Sequence, residues 1–321
     1  MISTSLMVYG LGRRAGREVG MQRTGTTKKA RGTKRPVVVA EPGELRGLLD
    51  RARRRGRTIA LVPTMGALHE GHLELVRHAR SSADMVVVSI FVNPTQFGPR
   101  EDLARYPRDL DADVRLLATV PADFVLHPPV EAVYPPGHAT TVHVAGLTDG
   151  LCGPFRPGHF DGVATVVAKL FSMVGPCTAI FGRKDFQQLQ VIRQMAADLD
   201  LPVEVVGRPT MREADGLAMS SRNRYLSPEE RRRATAVVEA LRGAVAAFRA
   251  GERDPANLER GIRERLSDGV DRTEYVFVGD PRTLKPYAGA VPAGRTAEAA
   301  VAAYVGTTRL IDNVELGTEE L

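Results

Sequence analysis

Apolar positions along the chain follow two alternating patterns, one short and continuous, the other spaced three and four residues apart. The continuous runs predict strands at Val37–Val39, Thr58–Val62, Met85–Val92, Phe124–Leu126, Ala179–Phe181 and Val203–Val206. The spaced pattern predicts intervening helices at Pro42–Arg55, Leu73–Arg80, Asp109–Ala118, Gly162–Val174 and Phe186–Leu199. This β-α repetition predicts an α/β fold, a Rossmann-like doubly wound parallel sheet that binds ligands at the carboxyl ends of its strands.

The pattern changes after about Pro209. A long helix is predicted over Pro228–Arg249, begun by Ser227 as N-cap, and a second one over Leu258–Leu266. Strands then follow at Tyr275–Val278, Ala300–Val305 and Thr308–Ile311. We therefore expect one domain over residues 36–209 and a smaller C-terminal α+β domain over residues 210–321.

The composition is that of a soluble globular protein rather than a membrane or disulfide-rich protein. The chain has 321 residues, 43% hydrophobic and 26% charged, and no apolar run reaches the roughly 18 residues of a membrane-spanning helix. The cysteines, Cys152 and Cys177, lie far apart and outside any zinc-type spacing, which predicts reduced thiols in a cytoplasmic protein.

The positive net charge belongs to the N-terminus. Residues 1–36 hold nine Lys or Arg and one acid, Glu18, and their net charge of 9 − 1 = +8 exceeds the whole chain's net charge of +6. Residues 1–35 have no sustained apolar period, so we expect a disordered basic tail. Because the body lacks this excess, we expect no nucleic-acid partner beyond what the tail alone could bind.

The run Pro63–His72 (Pro-Thr-Met-Gly-Ala-Leu-His-Glu-Gly-His) connects a predicted strand to a predicted helix. Such a junction gathers backbone N–H groups and a positive helix end, which suits a phosphate group. His69 and His72, three residues apart, face one ligand if the segment is helical; the alternative is that both rings only satisfy backbone groups. Gly66 and Gly71 either let a ligand approach the backbone or only form the turn.

Four blocks of sequence carry a resemblance to a known family. They are Pro63–His72, Ser89–Phe97 (Ser-Ile-Phe-Val-Asn-Pro-Thr-Gln-Phe), Phe181–Leu189 (Phe-Gly-Arg-Lys-Asp-Phe-Gln-Gln-Leu) and Arg212–Asn223 (Arg-Glu-Ala-Asp-Gly-Leu-Ala-Met-Ser-Ser-Arg-Asn). In this order they resemble the pantothenate synthetase (pantoate–β-alanine ligase) family, within the His-x-Gly-His nucleotidyl transferases. The resemblance implies an AMP-forming ligase of coenzyme A biosynthesis, which joins pantoate to β-alanine through a pantoyl-adenylate and releases pyrophosphate. It also implies a homodimer.

The resemblance extends to individual residues. It implies catalytic roles for His72, His69, Lys184 and Arg222, with residues 36–209 as the ATP- and pantoate-binding domain and 210–321 as a lid. Contacts with ATP are implied for Met65, Gly66, Ala67, Leu68, His69, Glu70, Gly71, His72, Gly182, Arg183, Lys184, Asp185, Met211, Met219, Ser220, Ser221 and Arg222. Gln96, with Asn93 as a possible neighbour, is implied to contact pantoate and β-alanine, and Gln188 to contact pantoate.

The spacing also supports part of this assignment independently. Lys184 follows a predicted buried strand and supplies a mobile point charge for phosphate, and Gln188 lies one helical turn further on the same face. The polar stretch Pro99–Asp113 corresponds to the family's gate over the active site, or is a plain surface segment. Mg²⁺ is expected on the ATP phosphates, with Asp113 as a candidate ligand. Arg183 and Phe186 stand where the family usually has an acid and Tyr, and Ala112 also replaces an acid.

Two other functions are compatible with parts of the sequence. One is a related nucleotidyl transferase that stops after adenylyl transfer to another acid or phosphate. The other is a binding protein that keeps the enzyme fold and holds nucleic acid with its basic tail. The four functional side chains His69, His72, Lys184 and Arg222 favour the enzyme.

Overall fold

The computed structural model describes residues 34–99 and 101–321, so the predicted tail lies almost entirely outside the described residues. Six parallel strands form the larger sheet: β1 Val37–Val39, β2 Ile59–Thr64, β3 Met85–Ile90, β4 Phe124–Leu126, β5 Cys177–Gly182 and β6 Val203–Arg208. Their spatial order is β1-β4-β3-β2-β5-β6. The predicted doubly wound parallel sheet is confirmed.

Helices cover both faces of this sheet. They are α1 Pro42–Arg53, α2 Glu70–Ser82, α3 Leu110–Leu117, α4 Val130–Val133, α5 His159–Val174 and α6 Phe186–Asp198. Side chains of α1, α5 and α6 form one apolar cluster with Ile59 and Leu61 of β2. Those of α2 and α3 form another with Ala60 and Val62. Successive residues of β2 thus point to opposite faces, and both faces are buried, which is why the strand appears as a continuous apolar run.

The sheet opens at the carboxyl end of β2. There β2 pairs with β3 as far as Thr64, whereas its pairing with β5 ends at Leu61. On the other side, β5 stays paired with β6 up to Gly182. The strand order also reverses direction between β2 and β5, so the resulting crevice is the position where doubly wound sheets bind ligands.

The C-terminal part contains three further helices, α7 Pro228–Ala234, α8 Ala236–Arg249 and α9 Pro255–Leu266, and an antiparallel sheet of β7 Arg272–Gly279, β8 Ala297–Val305 and β9 Thr308–Leu316. The single helix predicted over Pro228–Arg249 is divided at Thr235. The Thr235 hydroxyl donates to the carbonyl of Arg232 at 2.8 Å, a side-chain bond that competes with the helical ladder. The Ser227 N-cap is confirmed, since its Oγ accepts from the Glu230 N–H.

Most boundaries agree with the predictions to within three residues, although α2 begins before His72 rather than after it. The prediction for β9 was too short, since the strand extends five residues beyond Ile311 to Leu316. The alanine-rich β8 begins three residues before its predicted start, because Ala residues are weak strand formers whose placement here depends on burial from both sides. The described residues 34–99 and 101–321 belong to one compact unit, and the boundary at 209/210 remains a prediction. Among the described residues, no helix is long and apolar enough to cross a membrane.

Candidate active site

A cavity of about 250 Å³ occupies the crevice between β2 and β5. Most of the predicted site residues line it: Met65, His69, Gly71, His72, Gln96, Gly182, Lys184, Asp185, Gln188, Met211, Met219, Ser220, Ser221 and Arg222. Four segments distant in sequence meet here because each follows a strand of the parallel sheet or returns to that edge. The fold therefore brings the predicted residues together at one site.

The turn after β2 has an unusual backbone. Gly66 has φ +80° and Ala67 φ +50°, both in the left-handed region. The buried Asp113 carboxylate accepts from the N–H of Ala67 at 3.0 Å and from the N–H of Leu68 at 2.8 Å. These two bonds hold a conformation that is costly for alanine.

Asp113 has a structural role in this turn, and its contact with Mg²⁺ remains a prediction. Both of its oxygens are engaged by backbone N–H groups, and burial raises the pKa of this carboxyl. Among residues 34–99 and 101–321, no group of three or more His, Cys, Asp and Glu side chains could hold a metal ion. Asp113 therefore shapes the turn, and the described part of the protein presents no carboxylate cage for Mg²⁺.

Both histidines lie at the start of α2, where His69 is the N-cap and His72 is in the first turn. Their ring centroids are 4.1 Å apart. The His69 N–H donates to Nδ1 of His72 at 3.3 Å, so the proton of a neutral His72 ring is on Nε2, which remains a donor. Nδ1 of His69 is buried without a hydrogen-bond partner among the described groups, a polar atom that a ligand would satisfy.

Burial keeps these rings uncharged at neutral pH. It is the main cause that lowers the pKa of His69 to about 4, with Lys184 as the next. Burial, followed by His69 and Lys184, lowers the pKa of His72 to about 3. The two rings therefore act at pH 7 as neutral hydrogen-bonding groups, and the positive charge nearby is that of Lys184.

The two glycines of this motif are favoured at their positions for different physical reasons. A Cβ on Gly66 would lie 2.9 Å from Oδ2 of Asp113, and the positive φ already favours glycine there. A Cβ on Gly71 would lie 3.0 Å from the His69 ring. Gly66 thus serves the turn, whereas Gly71 leaves room for the functional histidine.

Lys184 belongs to a single 3₁₀ turn, Arg183–Asp185, which we call the lysine turn. Within the described part of the chain, its ammonium group forms no hydrogen bond or ion pair, although it lines the cavity. Arg183, in contrast, turns away to Glu315 at 2.7 Å and Glu319 at 3.0 Å. The lysine is thus the cation left available for a phosphate.

The segment Met219–Arg222, which we call the serine-arginine loop, forms another wall. Its Arg222 guanidinium makes a bidentate ion pair with Asp102, with distances of 2.8 and 3.0 Å. Burial alone would lower the pKa of Arg222, but this carboxylate raises it above its usual value. Arg222 is therefore charged and held against the stretch Pro99–Asp113, which we call the gate segment.

The amide of Gln96 has a defined orientation. Nδ2 of Asn93 donates to Oε1 of Gln96 at 3.0 Å, and the Tyr134 hydroxyl donates to Oδ1 of Asn93 at 2.8 Å. Nε2 of Gln96, which contacts the Met65 sulfur at 3.2 Å, is then the donor available in the cavity. Asn93, named only as a possible neighbour, is the residue that orients Gln96.

Several predicted ATP contacts do not line the cavity. Ala67 and Leu68 are buried, and Gly66 lies in the turn. Glu70 forms an ion pair with Arg77 at 2.6 Å, and Arg183 forms ion pairs with Glu315 and Glu319. Direct contact between these side chains and a nucleotide remains a prediction. Their backbone N–H groups belong to the junction that the sequence singled out.

Other cavity residues escaped the sequence analysis. Arg156 binds Glu101 of the gate segment through two hydrogen bonds of 2.6 and 2.7 Å. It also lies 3.1 Å from Nε2 of His159, whose Nδ1 is 2.8 Å from the carbonyl of Gln96. An apolar wall completes the cavity, formed by Phe91, Val163, Val166, Val167, Leu170 and Phe181. In the sequence, the only indication of Arg156 and His159 was their position immediately before the predicted apolar helix Gly162–Val174.

The strand order, the histidine pair at a strand-to-helix junction and the unpaired lysine beside them define a nucleotide-binding α/β enzyme of the nucleotidyl transferase type. Comparison with known proteins narrows this class. The family model for pantoate–β-alanine ligase matches residues 37–315. The chain belongs to the pantoate–β-alanine ligase family.

Individual relatives agree with this assignment. A pantothenate synthetase of Myxococcus xanthus is 51% identical over 286 residues, covering 89% of this chain and 98% of the relative. The crystal structure of pantothenate synthetase from Thermus thermophilus has a TM-score of 0.81 at 48% identity and covers 87% of this chain and 99% of that one. A Francisella tularensis pantoate–β-alanine ligase, complexed with beta-gamma ATP and beta-alanine, has a TM-score of 0.72 at 30% identity, covering 88% and 99%.

Proposed function

We propose that the chain condenses pantoate with β-alanine at the expense of ATP, forming pantothenate through a pantoyl-adenylate. Family membership over residues 37–315 is the observation that carries this function. In the first step a pantoate carboxylate oxygen attacks the α-phosphorus and the bond to the β-phosphate oxygen breaks, which releases pyrophosphate. In the second, the β-alanine amine attacks the acyl carbon, AMP leaves with the electron pair of the C–O bond, and the amine loses a proton.

His69 and His72 are proposed to stabilise the negative charge that develops on the α-phosphate oxygens. Their neutral state at pH 7 and their position at the start of α2 support this role, since Nε2–H of His72 donates without needing to be charged. The helix N-terminus adds backbone N–H groups and a partial positive charge at the same place. Pre-positioned donors of this kind cost no reorganisation during the reaction.

Lys184 and Arg222 are proposed to bind the β- and γ-phosphates and the departing pyrophosphate. No described group bonds the ammonium group of Lys184, and both Lys184 and the charged Arg222 line the cavity. Because phosphoryl and nucleotidyl transfer demand positioning and charge neutralisation more than covalent chemistry, two placed cations are suited to the task. The Francisella tularensis relative, complexed with beta-gamma ATP, supports ATP as the nucleotide.

The acyl substrate is proposed to lie against Gln96 and Gln188, with the apolar wall of α5 at its back. Gln96 offers an oriented amide N–H, and both side chains line the cavity. A small acid that carries hydroxyl and methyl groups matches this mixture of polar and apolar contacts. The gate segment would then exclude water from the reactive adenylate.

Mg²⁺ is proposed to arrive with ATP on its phosphate oxygens, because the described carboxylates form no site for it. A homodimer and a cytoplasmic location remain expectations from the resemblance. Sedimentation of the purified protein as a monomer at micromolar concentration would refute the homodimer.

The decisive experiment measures pyrophosphate and AMP released by the purified protein from ATP, Mg²⁺ and pantoate, with and without β-alanine. The expected result is one pantothenate per AMP when both substrates are present. AMP transfer to another acid without amide formation would identify an adenylyl transferase instead. Lys184→Ala should lose activity, whereas Lys285→Ala, at an exposed lysine outside the cavity, should keep it.

A further inference from the structure

The lysine turn has little internal support. It is a single 3₁₀ turn between the end of β5 and the start of α6, and its N-cap residue, Gly182, provides no side-chain cap. A turn of this length makes few hydrogen bonds of its own, so the carbonyl groups of Arg183 and Lys184 need partners from elsewhere. The conformation of the backbone that carries Lys184 is therefore set by its surroundings.

Those partners come from one side chain of β9. Nδ2 of Asn313 donates to the carbonyl of Lys184 at 2.7 Å and to the carbonyl of Arg183 at 3.1 Å. Asn313 is only 5% exposed, so little water is available to replace these bonds. Its own backbone is fixed in the antiparallel ladder, where it lies opposite Ala300 of β8.

The same strand end also anchors the neighbouring side chain. Arg183 is held by Glu315 and Glu319, which follow Asn313 along the chain. In contrast, no described group bonds the Lys184 ammonium, although its charge lowers the pKa of both His69 and His72. The contacts thus fix the root of the lysine and leave its charged end free in the cavity.

We propose that Asn313 is a positioning residue for Lys184, holding the lysine turn so that the ammonium group meets the triphosphate of ATP. A lysine has a flexible four-carbon stem, and fixing its root reduces the conformations that must be lost when it binds phosphate. Asn313 itself touches no substrate. This inference rests on the phosphate-binding role proposed for Lys184.

The test is a double-mutant cycle with Asn313→Ala, Lys184→Ala and both together, assayed by steady-state kinetics for each substrate. Losing two buried hydrogen bonds should lower kcat/KM for ATP roughly tenfold, while kcat/KM for β-alanine, which reacts after pyrophosphate has left, stays unchanged. In the Lys184→Ala background the added effect of Asn313→Ala should fall below about twofold, because its target is gone.

A matched control is Asn257→Ala, which removes a hydrogen bond to Glu252 at the start of α9, outside the cavity. It should leave the kinetics for ATP unchanged. If Asn313→Ala does not fold, as judged by thermal unfolding, Asn313→Asp enters the same cycle, since it keeps the shape but cannot donate.

Three outcomes are distinguishable. An unchanged kcat/KM for ATP in the Asn313 variants overturns the inference. An equal loss in the wild-type and Lys184→Ala backgrounds also overturns it, because Asn313 then acts independently of the lysine. A Lys184→Ala variant that keeps the wild-type kcat/KM for ATP instead overturns the proposed role of Lys184.

Discussion

At the scale of single residues, the site places two neutral histidines near the Lys184 cation. The ring centroids of His69 and His72 lie 4.1 Å apart. Burial lowers the pKa of His69 to about 4 and that of His72 to about 3. Two protonated rings at this distance would repel one another and Lys184. Neutral rings avoid that repulsion and still provide Nε2–H of His72 as a donor.

His72→Ala should lower kcat by about 10²–10³, the usual cost of removing one donor that stabilises transition-state charge. The fold should be retained, because the ring lies at the cavity rather than in the apolar clusters. Single-turnover formation of the adenylate, measured as pyrophosphate release, checks the assignment. His78→Ala, on the same helix but outside the cavity, is the control. An unchanged kcat in His72→Ala would refute its catalytic role.

Stability should fall on acidification because of these buried histidines. Their ordinary pKa is 6.5, whereas His72 and His69 in the folded protein take up protons only near pH 3 and 4. Between about pH 6.5 and 4 these histidines bind more protons in the unfolded chain than in the folded protein. The free energy of unfolding therefore decreases as the pH falls through this window, and above pH 6.5 the two histidines do not change it. Urea unfolding at pH 7 and at pH 5 measures the difference in the free energy of unfolding between the two pH values. It should be smaller in His72→Ala, and an equal difference in both proteins would contradict the argument.

At the scale of elements, the gate segment and the serine-arginine loop are joined. Asp102, in the 3₁₀ turn Asp102–Ala104, holds Arg222 by a bidentate ion pair, and Glu101 holds Arg156 in the same way. Adjacent carboxylates thus bind arginines on two different walls of the cavity. The positions of the gate segment and of the serine-arginine loop are therefore coupled.

Asp102→Asn should loosen this connection, since it replaces a charged bidentate pair by a neutral contact. We expect kcat to fall about tenfold and AMP to be released in excess over pantothenate, as water reaches the adenylate. The ratio of AMP to pantothenate is the measurement. Asp111→Asn, at an exposed carboxylate of the gate segment, should keep a ratio of one. A ratio of one in Asp102→Asn would show that the ion pair does not exclude water.

At the same scale, the elements were largely predictable. β1 and β4 match their predicted bounds, because short apolar runs between polar turns are local signals. The interruption at Thr235 was not predictable from apolar periodicity, which continues through it. The length of β8 was also missed, because an alanine-rich segment becomes a strand only when its neighbours bury it.

At the scale of the whole molecule, every residue that lines the cavity lies between Pro63 and Arg222. The residues that bond the segments around the cavity extend as far along the chain as Glu319. The C-terminal sheet therefore contacts segments that line the cavity without lining it itself. Through Asn313 it bonds the lysine turn, and through Asp312 it pairs with Arg212 at 2.7 Å, next to Met211 of the cavity wall. The lid function predicted for residues 210–321 remains to be tested against this fixed attachment.

A protein that begins at Lys34 should retain the kcat and KM values of the full chain, because residues 1–33 contribute no predicted site residue. Any affinity for RNA should disappear with the basic segment and should weaken steeply with salt in the full chain. Parallel kinetics and gel-shift titrations of both proteins provide the check. A large loss of ligase activity on truncation would assign the segment a role in the enzyme.

The sequence by itself determined the α/β fold and the strand ends that carry the motifs, since both depend on local periodicity and short spacing. Its resemblance to the family indicated most of the polar side chains that line the cavity. The tertiary structure decided which groups hold those side chains in place. Asp113 reaches back 46 residues to Ala67, Asp102 pairs with a residue 120 positions away, and Asn313 bonds a carbonyl 129 positions away. Such polar contacts have no periodicity, because they arise only when folded elements bring distant donors and acceptors together.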